Sequence, residues 1–176
     1  MKPNIFLTGA PSAGKTTVIK KVIDGLQCPA NGFYTEEEKQ NGRRVGFLMH
    51  TLDGQSGYLA HQDISSEYRI RRYGVSIDNI EQIAVPAITP VGDQMIILDE
   101  IGKMECFSES FRQAAVNALN APNRMIGTIT LGGSDFIRGI KDREDVEILE
   151  VTLDNRDTLP GLILEEIDIG KAGIDS

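Results

Sequence analysis

Two cysteines and two histidines are all that the 176 residues offer of the softer metal ligands. Cys28 and Cys106 stand far apart and match no metal-ligand spacing, so free thiols in a reducing compartment are expected. His50 lies in an apolar, strand-like run and His61 follows another, which suits structural or solvated roles better than catalysis. Long hydrophobic runs are missing too. No stretch approaches the roughly 20 apolar residues that cross a bilayer. After Met1-Lys2-Pro3-Asn4, the run Ile5-Phe6-Leu7 is too short for a secretory h-region. A cytoplasmic protein without a membrane partner is expected. Positive charge is the last scarcity: 18 Lys and Arg against 26 Asp and Glu leave a net charge of −8. Such a field repels polyphosphate backbones, so general nucleic-acid binding is not expected. A small anionic ligand would need a local positive site, helped by a metal ion.

What is present fits one domain over residues 1–176, with 40% hydrophobic residues and enough length to bury a core without disulfides. Ile5 to Leu7 reads as a buried strand ending at a glycine turn. From Gly14 to Leu26, Val18, Val22, Ile23 and Leu26 recur at helical spacing while Lys20 and Lys21 face outward. Asn41-Gly42 between Phe33-Tyr34-Thr35 and the run from Val45 to Leu52 is a hairpin signal. Tyr58 to Ala60 and Tyr68 to Ile70 add short strands, so residues 32–73 read as a β-hairpin and short-strand insertion. A helix is expected from Ile77 to Ala84, ended by Pro86 and Pro90, and a strand from Met95 to Leu98. Ser108 caps a helix that carries Phe111, Ala115, Val116 and Leu119 inward. Met125 to Leu131 reads as a strand, Phe136 to Ile140 as a short helix, Val146 to Leu153 as a strand and Asp157 to Glu166 as a last helix. The tail from Gly170 to Ser176 looks frayed. Helices alternating with nearly all-apolar strands argue for an α/β fold with a mainly parallel sheet covered on both faces.

Gly9-Ala10-Pro11-Ser12-Ala13-Gly14-Lys15-Thr16, followed by Thr17, matches the phosphate-loop pattern G-x-x-x-x-G-K-[ST] without a mismatch. It leaves an apolar strand and opens an amphipathic helix, as the chemistry requires. The glycines let successive N–H groups aim at one point, and the helix N-terminus adds its positive dipole end. Lys15 would reach the β- and γ-phosphates, and the Thr16 hydroxyl would ligate Mg²⁺.

Met95 to Leu98 then runs into Asp99-Glu100. An apolar strand ending in acids delivers carboxylates to the carboxyl edge of the sheet, where open α/β sheets bind ligands. Asp99 becomes the second Mg²⁺ residue, and Glu100 orients or deprotonates an attacking water. Lys103 either supplies charge to the phosphates or pairs with Glu105 on a surface loop. Asp99 to Gly102 also fits the D-x-x-G pattern of switch GTPases, but no N-K-x-D run reads guanine.

Taken together, these motifs resemble the small nucleoside-triphosphatase family described in thermophiles and called cancer-related in animals. The matching residues are the GAPSAGKTT loop, Gly32 to Glu37, Arg44-Val45-Gly46-Phe47, Arg72-Tyr73-Gly74-Val75, Asp99 to Glu105, Gly127-Thr128-Ile129 and Asn155-Arg156-Asp157. The resemblance implies a three-layer P-loop sandwich of the RecA- and kinase-related kind, with a further strand between the loop strand and the Asp-Glu strand. It implies Mg²⁺-dependent hydrolysis of ATP, GTP and other nucleoside triphosphates, CTP and UTP among them, with loose base selectivity. The family's nucleotide-contacting stretches map onto Gly9 to Thr16 and onto Asp99, Glu100, Ile101, Gly102, Lys103, Met104, Glu105 and Cys106. Ser12 stands where the family often has glycine, and Cys106 where it often has leucine.

The clusters Arg69, Arg71, Arg72 and Arg138, Lys141, Arg143 are either solvated faces or the source of charge for the transition state. Asn155-Arg156 is expected either at the base or as a helix entry capped by Asn155 or Asp157. Two other functions use the same phosphate site: a nucleotide or small-molecule kinase, and a switch module that turns over slowly.

Overall fold

The structure, a computed structural model, describes residues 1–172. Its parallel strands are nearly all apolar because both of their faces are covered. In β1 (Asn4–Thr8), Ile5 and Leu7 point to one face and Phe6 to the other. In β7 (Met95–Ile101), Met95 and Ile97 alternate with Ile96 and Leu98 in the same way. This two-residue period splits the core into two layers. One layer lies under α1 (Lys15–Gly25) and α5 (Leu159–Ala172), with Val18, Ile19, Val22, Ile163 and Ile167 buried. The other lies under α2 (77–87), α3 (Glu109–Asn120) and α4 (Asp135–Lys141), where Phe111 meets Phe33 edge-on at 6.4 Å.

The remaining strands are β2 (Ala30–Gln40), β3 (Arg43–Thr51), β4 (Ser56–His61), β5 (Arg69–Ile70), β6 (Tyr73–Val75), β8 (Met125–Ile129) and β9 (Val146–Glu150). All nine form one sheet in the order β5-β6-β4-β3-β2-β7-β8-β1-β9. Neighbours from β2 to β9 pair in parallel, and β8 is the strand expected between the loop strand and the Asp-Glu strand. Residues 32–73 extend this sheet with antiparallel strands. Their joint is β2, whose first half pairs with β7 and whose second half runs on into the hairpin. Asn41 and Gly42 close that hairpin with φ of 50° and 75°, the left-handed pair a tight two-residue turn needs.

The boundaries differ from the sequence reading in four places. The helix expected to stop at Ala84 runs through Pro86 to Ala87, because Ile80–Ala84 is a π turn. There the Val85 N–H reaches back five residues to Ile80 O, which opens the helix where the proline ring would crowd the carbonyl of Gln82. Strands β8 and β9 stop at Ile129 and Glu150, leaving Leu131 and Leu153 53% and 70% exposed. On α3, Ala118 takes the buried place expected of Val116, which is half-buried. Helix α5 starts at Leu159 rather than Asp157, since Pro160 suits a first turn, and it continues to Ala172. The frayed tail expected from Gly170 is thus helical to that point, and residues 173–176 lie outside the described residues.

Candidate active site

Strand β1 stops at Thr8 and the chain turns through Gly9 to Gly14 into α1. Gly9 has φ 147°, and a Cβ there would lie 2.7 Å from the Val151 carbonyl oxygen, so only glycine lets β9's exit pass this close. Gly14 caps α1 at φ 105°. Ser12 also takes a left-handed φ, 63°, a conformation that glycine adopts without strain. Ala10, Pro11, Ser12 and Thr17 are exposed, whereas Ala13 is buried and donates its N–H to Ala10 O at 3.1 Å. The Lys15 ammonium rests on the carbonyls of Gly9 and Ala10, at 3.0 and 3.3 Å. A phosphate would be a stronger, charged acceptor for the same ammonium.

The Thr16 hydroxyl donates to Asp99 Oδ2 at 2.8 Å, joining the loop to the end of β7. Asp99 is 1% exposed. It also accepts the Thr35 N–H at 3.3 Å and the hydroxyl of fully buried Thr128. Burial raises its carboxyl above the usual range, opposed by Thr128, Thr16, the Thr35 N–H and the charge of Lys15. The Asp99–Glu100 peptide is cis, and the β7–β8 register shifts between Leu98 and Ile101. Glu100 is half-buried; burial first, then the charge of Asp99, pushes its carboxyl up to about 7, against the pull of Lys15. Among the described residues its carboxylate makes no hydrogen bond or ion pair, so it remains free to accept a proton.

Ile101 and Gly102 are buried, and Met104 packs against the core. A Cβ on Gly102 would lie 2.8 Å from Glu105 Oε2 and 3.0 Å from Glu100 Oε1, so the two carboxyls flank this glycine. Glu105 is buried, and burial followed by the charge of Glu100 lifts its carboxyl well above the usual range. The surface pair of Lys103 with Glu105 is therefore not formed: Lys103 is exposed and Glu105 is inside. Cys106 is half-buried, its thiol pushed up to about 12 by burial and then by the charge of Glu105.

On the other side of the loop, Asn155 accepts the Thr152 N–H at 2.9 Å and donates to Glu150 O at 2.8 Å. Its amide shapes the loop after β9. Arg156 lies beside the phosphate loop, its Cδ 3.4 Å from where a Gly14 Cβ would stand, and among the described residues its guanidinium has no ion pair or hydrogen bond. Asp157 instead pairs with Lys21 at 3.3 Å. Of the cluster Arg138, Lys141 and Arg143, Arg138 pairs with Asp135, and Lys141 donates to Leu131 O just past the carboxyl end of β8. Arg143 pairs with Asp145 just before β9, at the opposite end of the parallel strands.

Thr128 and Thr35 lie in two of the stretches that carry the family resemblance, Gly127-Thr128-Ile129 and Gly32 to Glu37, but no motif assigns either of them a role at the site. The further signal for Thr128 was a lone hydroxyl inside the apolar run Met125 to Ile129.

A family model described as NTPase matches residues 4–164. The chain belongs to the NTPase family. Nucleoside-triphosphatase THEP1 of Thermotoga sp. (strain RQ2) is 40% identical over 169 residues, which cover 95% of this chain and 97% of that relative. The human cancer-related nucleoside-triphosphatase is 38% identical over 181 residues, covering 90% and 93%. The crystal structure of THEP1 from the hyperthermophile Aquifex aeolicus superposes on this NTPase-family chain with a TM-score of 0.84 at 32% identity, over 92% of this chain and 97% of that one. The expected three-layer P-loop sandwich is the fold of this NTPase-family chain. Among its described residues no helix is long and apolar enough to cross a membrane.

Proposed function

We propose that the protein hydrolyses nucleoside triphosphates to the diphosphate and phosphate, using Mg²⁺ and showing little preference among ATP, GTP, CTP and UTP. The observation that carries this reading is the 2.8 Å contact between Thr16 Oγ1 and Asp99 Oδ2, with an unpartnered Glu100 one residue further on. A hydroxyl and a carboxylate are hard oxygen donors, which suits Mg²⁺; that ion commonly takes one or two carboxylates and leaves the rest of its shell to water and substrate phosphates. Thr16 and Asp99 would hold it, and when bound it would neutralise charge between the β- and γ-phosphates.

The chain's own groups do the rest. Pro11 has no N–H, so the donors for phosphate oxygens are the N–H groups of Ser12, Gly14, Lys15, Thr16 and Thr17 at the start of α1, together with the Lys15 ammonium. Glu100, poised near neutrality, takes the proton as a water oxygen bonds to the γ-phosphorus and the bond to the β–γ bridging oxygen breaks. The Arg156 guanidinium offers a flat face on which any base can stack, and Asn155 places it through the loop it clamps. Stacking without edge recognition gives the loose selectivity. A cytoplasmic location, where the free thiols of Cys28 and Cys106 stay reduced, goes with this reading.

The test is phosphate release from ATP with Mg²⁺ and no acceptor. Steady turnover that Lys15→Ala abolishes is expected. No release from the wild-type protein, or conversion of ATP to ADP only when a phosphoryl acceptor is added and takes up the phosphate, would overturn the reading.

A further inference from the structure

Two β-turns meet at one end of the antiparallel extension. Asn41-Gly42 joins β2 to β3, and Arg71-Arg72 joins β5 to β6. Both β3 and β6 run antiparallel to β4, so both start at the same end. Arg43 and Arg44 at the start of β3 thereby come beside Arg72. Between them lies a cleft of about 460 Å³ whose other polar walls are Gln40, Asn41 and Gln62. Gln40 is five residues beyond Thr35 on β2, about 17 Å further along the strand, so the cleft is separate from the phosphate loop.

We propose that this cleft is a second anion site, built for a short chain of linked phosphates. Its walls carry three guanidinium groups and no carboxylate, in a chain whose net charge is −8. Arg43 and Arg72 have no carboxylate partner among the described residues, and Arg44 has Glu37. Two of the three forks are also held in advance. Arg44 Nε donates to the Tyr73 hydroxyl at 3.3 Å; Arg72 donates to that hydroxyl at 3.1 Å and to the Arg44 carbonyl. Both guanidiniums lie over aromatic rings, Arg44 5.0 Å from Phe47 and Arg72 5.2 Å from Tyr73. Groups fixed this way lose little freedom when an anion arrives, and planar guanidinium forks match phosphate oxygens.

The lining also says what is not read. Its single apolar residue is Val45, and no aromatic ring is among the lining residues to stack a base. Single-stranded nucleic acid is recognised on such rings, so the phosphate groups alone are the ligand chemistry here. About 460 Å³ exceeds a single phosphate and falls within the usual range of small-ligand sites. Three cationic forks and three amides suit several linked phosphates. An inorganic oligophosphate and the polyphosphate tail of a nucleotide both offer this.

The experiment is calorimetric titration of Lys15→Ala protein, whose phosphate loop is disabled, with inorganic tripolyphosphate and separately with ATP, both without Mg²⁺ at physiological salt. One tripolyphosphate per chain is expected. Adding Arg43→Gln and Arg72→Gln should weaken it at least about tenfold with the thermal transition retained. Arg43→Lys should keep part of the affinity. Equal binding of ATP would name the nucleotide tail as the source, and weaker binding of ATP the inorganic chain. Absence of tripolyphosphate binding, or binding unchanged by the arginine substitutions, would overturn the proposal. Arg43→Gln and Arg72→Gln in an otherwise wild-type chain should leave ATP hydrolysis unchanged, so this site and the hydrolytic one can fail independently.

Discussion

Thr128→Val removes a single hydrogen bond from the centre of the site and little else. Valine has nearly the volume and shape of threonine, so no cavity opens; what changes is that Asp99 Oδ1 loses the hydroxyl that donates to it. Both residues are out of reach of water, at 0% and 1% exposure, so no solvent molecule substitutes. A buried hydrogen bond to a charged group contributes about 1.5–3 kcal/mol. Of the three donors on Asp99, Thr16 at 2.8 Å and the Thr35 N–H at 3.3 Å remain, which keeps the expected loss near the middle of that range, about 2 kcal/mol. For a chain of this length that lowers the melting temperature by about 4–8 °C. Asp99 would also be held less firmly against Thr16, so Mg²⁺-dependent hydrolysis should fall, by about tenfold if metal affinity responds as it does to other supporting residues. Calorimetry and phosphate release on the same preparations measure both effects. Thr128→Ser, which keeps the hydroxyl, should restore hydrolysis even where it leaves the melting temperature low. A Thr128→Val protein with wild-type melting and wild-type turnover would refute the reasoning.

Asp99→Asn should raise the Mg²⁺ concentration for half-maximal turnover by at least about tenfold; a Mg²⁺ titration that superposes on the wild type would remove Asp99 from the metal site. Ser12→Gly relieves a left-handed φ worth about 1 kcal/mol but adds chain entropy of about 0.5–1 kcal/mol to the unfolded state, so stability should stay level or rise slightly with hydrolysis intact. A melting temperature several degrees lower would contradict that conformation. A Cys106 thiol at about 12 carries on the order of a thousandfold less thiolate at pH 8 than one at the usual 9.0, while its greater nucleophilicity restores about thirtyfold. Iodoacetamide should therefore label it at least about thirtyfold more slowly than glutathione, faster as pH rises, and labelling at glutathione's rate would show that the thiol is not buried as described.

The phosphate loop was legible because its chemistry is local. Glycine conformations, one lysine and one hydroxyl must be adjacent in sequence to work, and Gly9 to Thr16 display them together. The parallel core was legible for a similar reason: strands covered on both faces, such as Met95 to Leu98, cannot hide their composition. What escaped depends on partners far away in sequence. Thr128 is an ordinary strand threonine until β8 lies beside β7 and its hydroxyl meets Asp99. From its neighbours alone Glu105 reads as a surface-loop partner for Lys103, until the turn at Gly102 folds it inward beside Glu100. Pro86 looks like a helix stop, and only the π turn before it lets the helix continue. The cluster Arg69, Arg71, Arg72 reads either as a solvated face or as charge for the transition state, until the directions of β3 and β6 bring Arg72 to Arg43 and Arg44.

The most direct test of the hydrolytic site is phosphate release by wild-type and Glu100→Gln protein across ATP, GTP, CTP and UTP, with nucleotide binding followed in parallel. Glutamine keeps the size of Glu100 and removes its ability to take a proton. All four nucleotides should turn over at comparable rates in the wild type, and the substitution should retain binding while lowering every rate by about 10²–10⁴-fold. Wild-type turnover in Glu100→Gln would contradict the role of Glu100, and hydrolysis of one nucleotide alone would contradict base-indifferent stacking at Arg156.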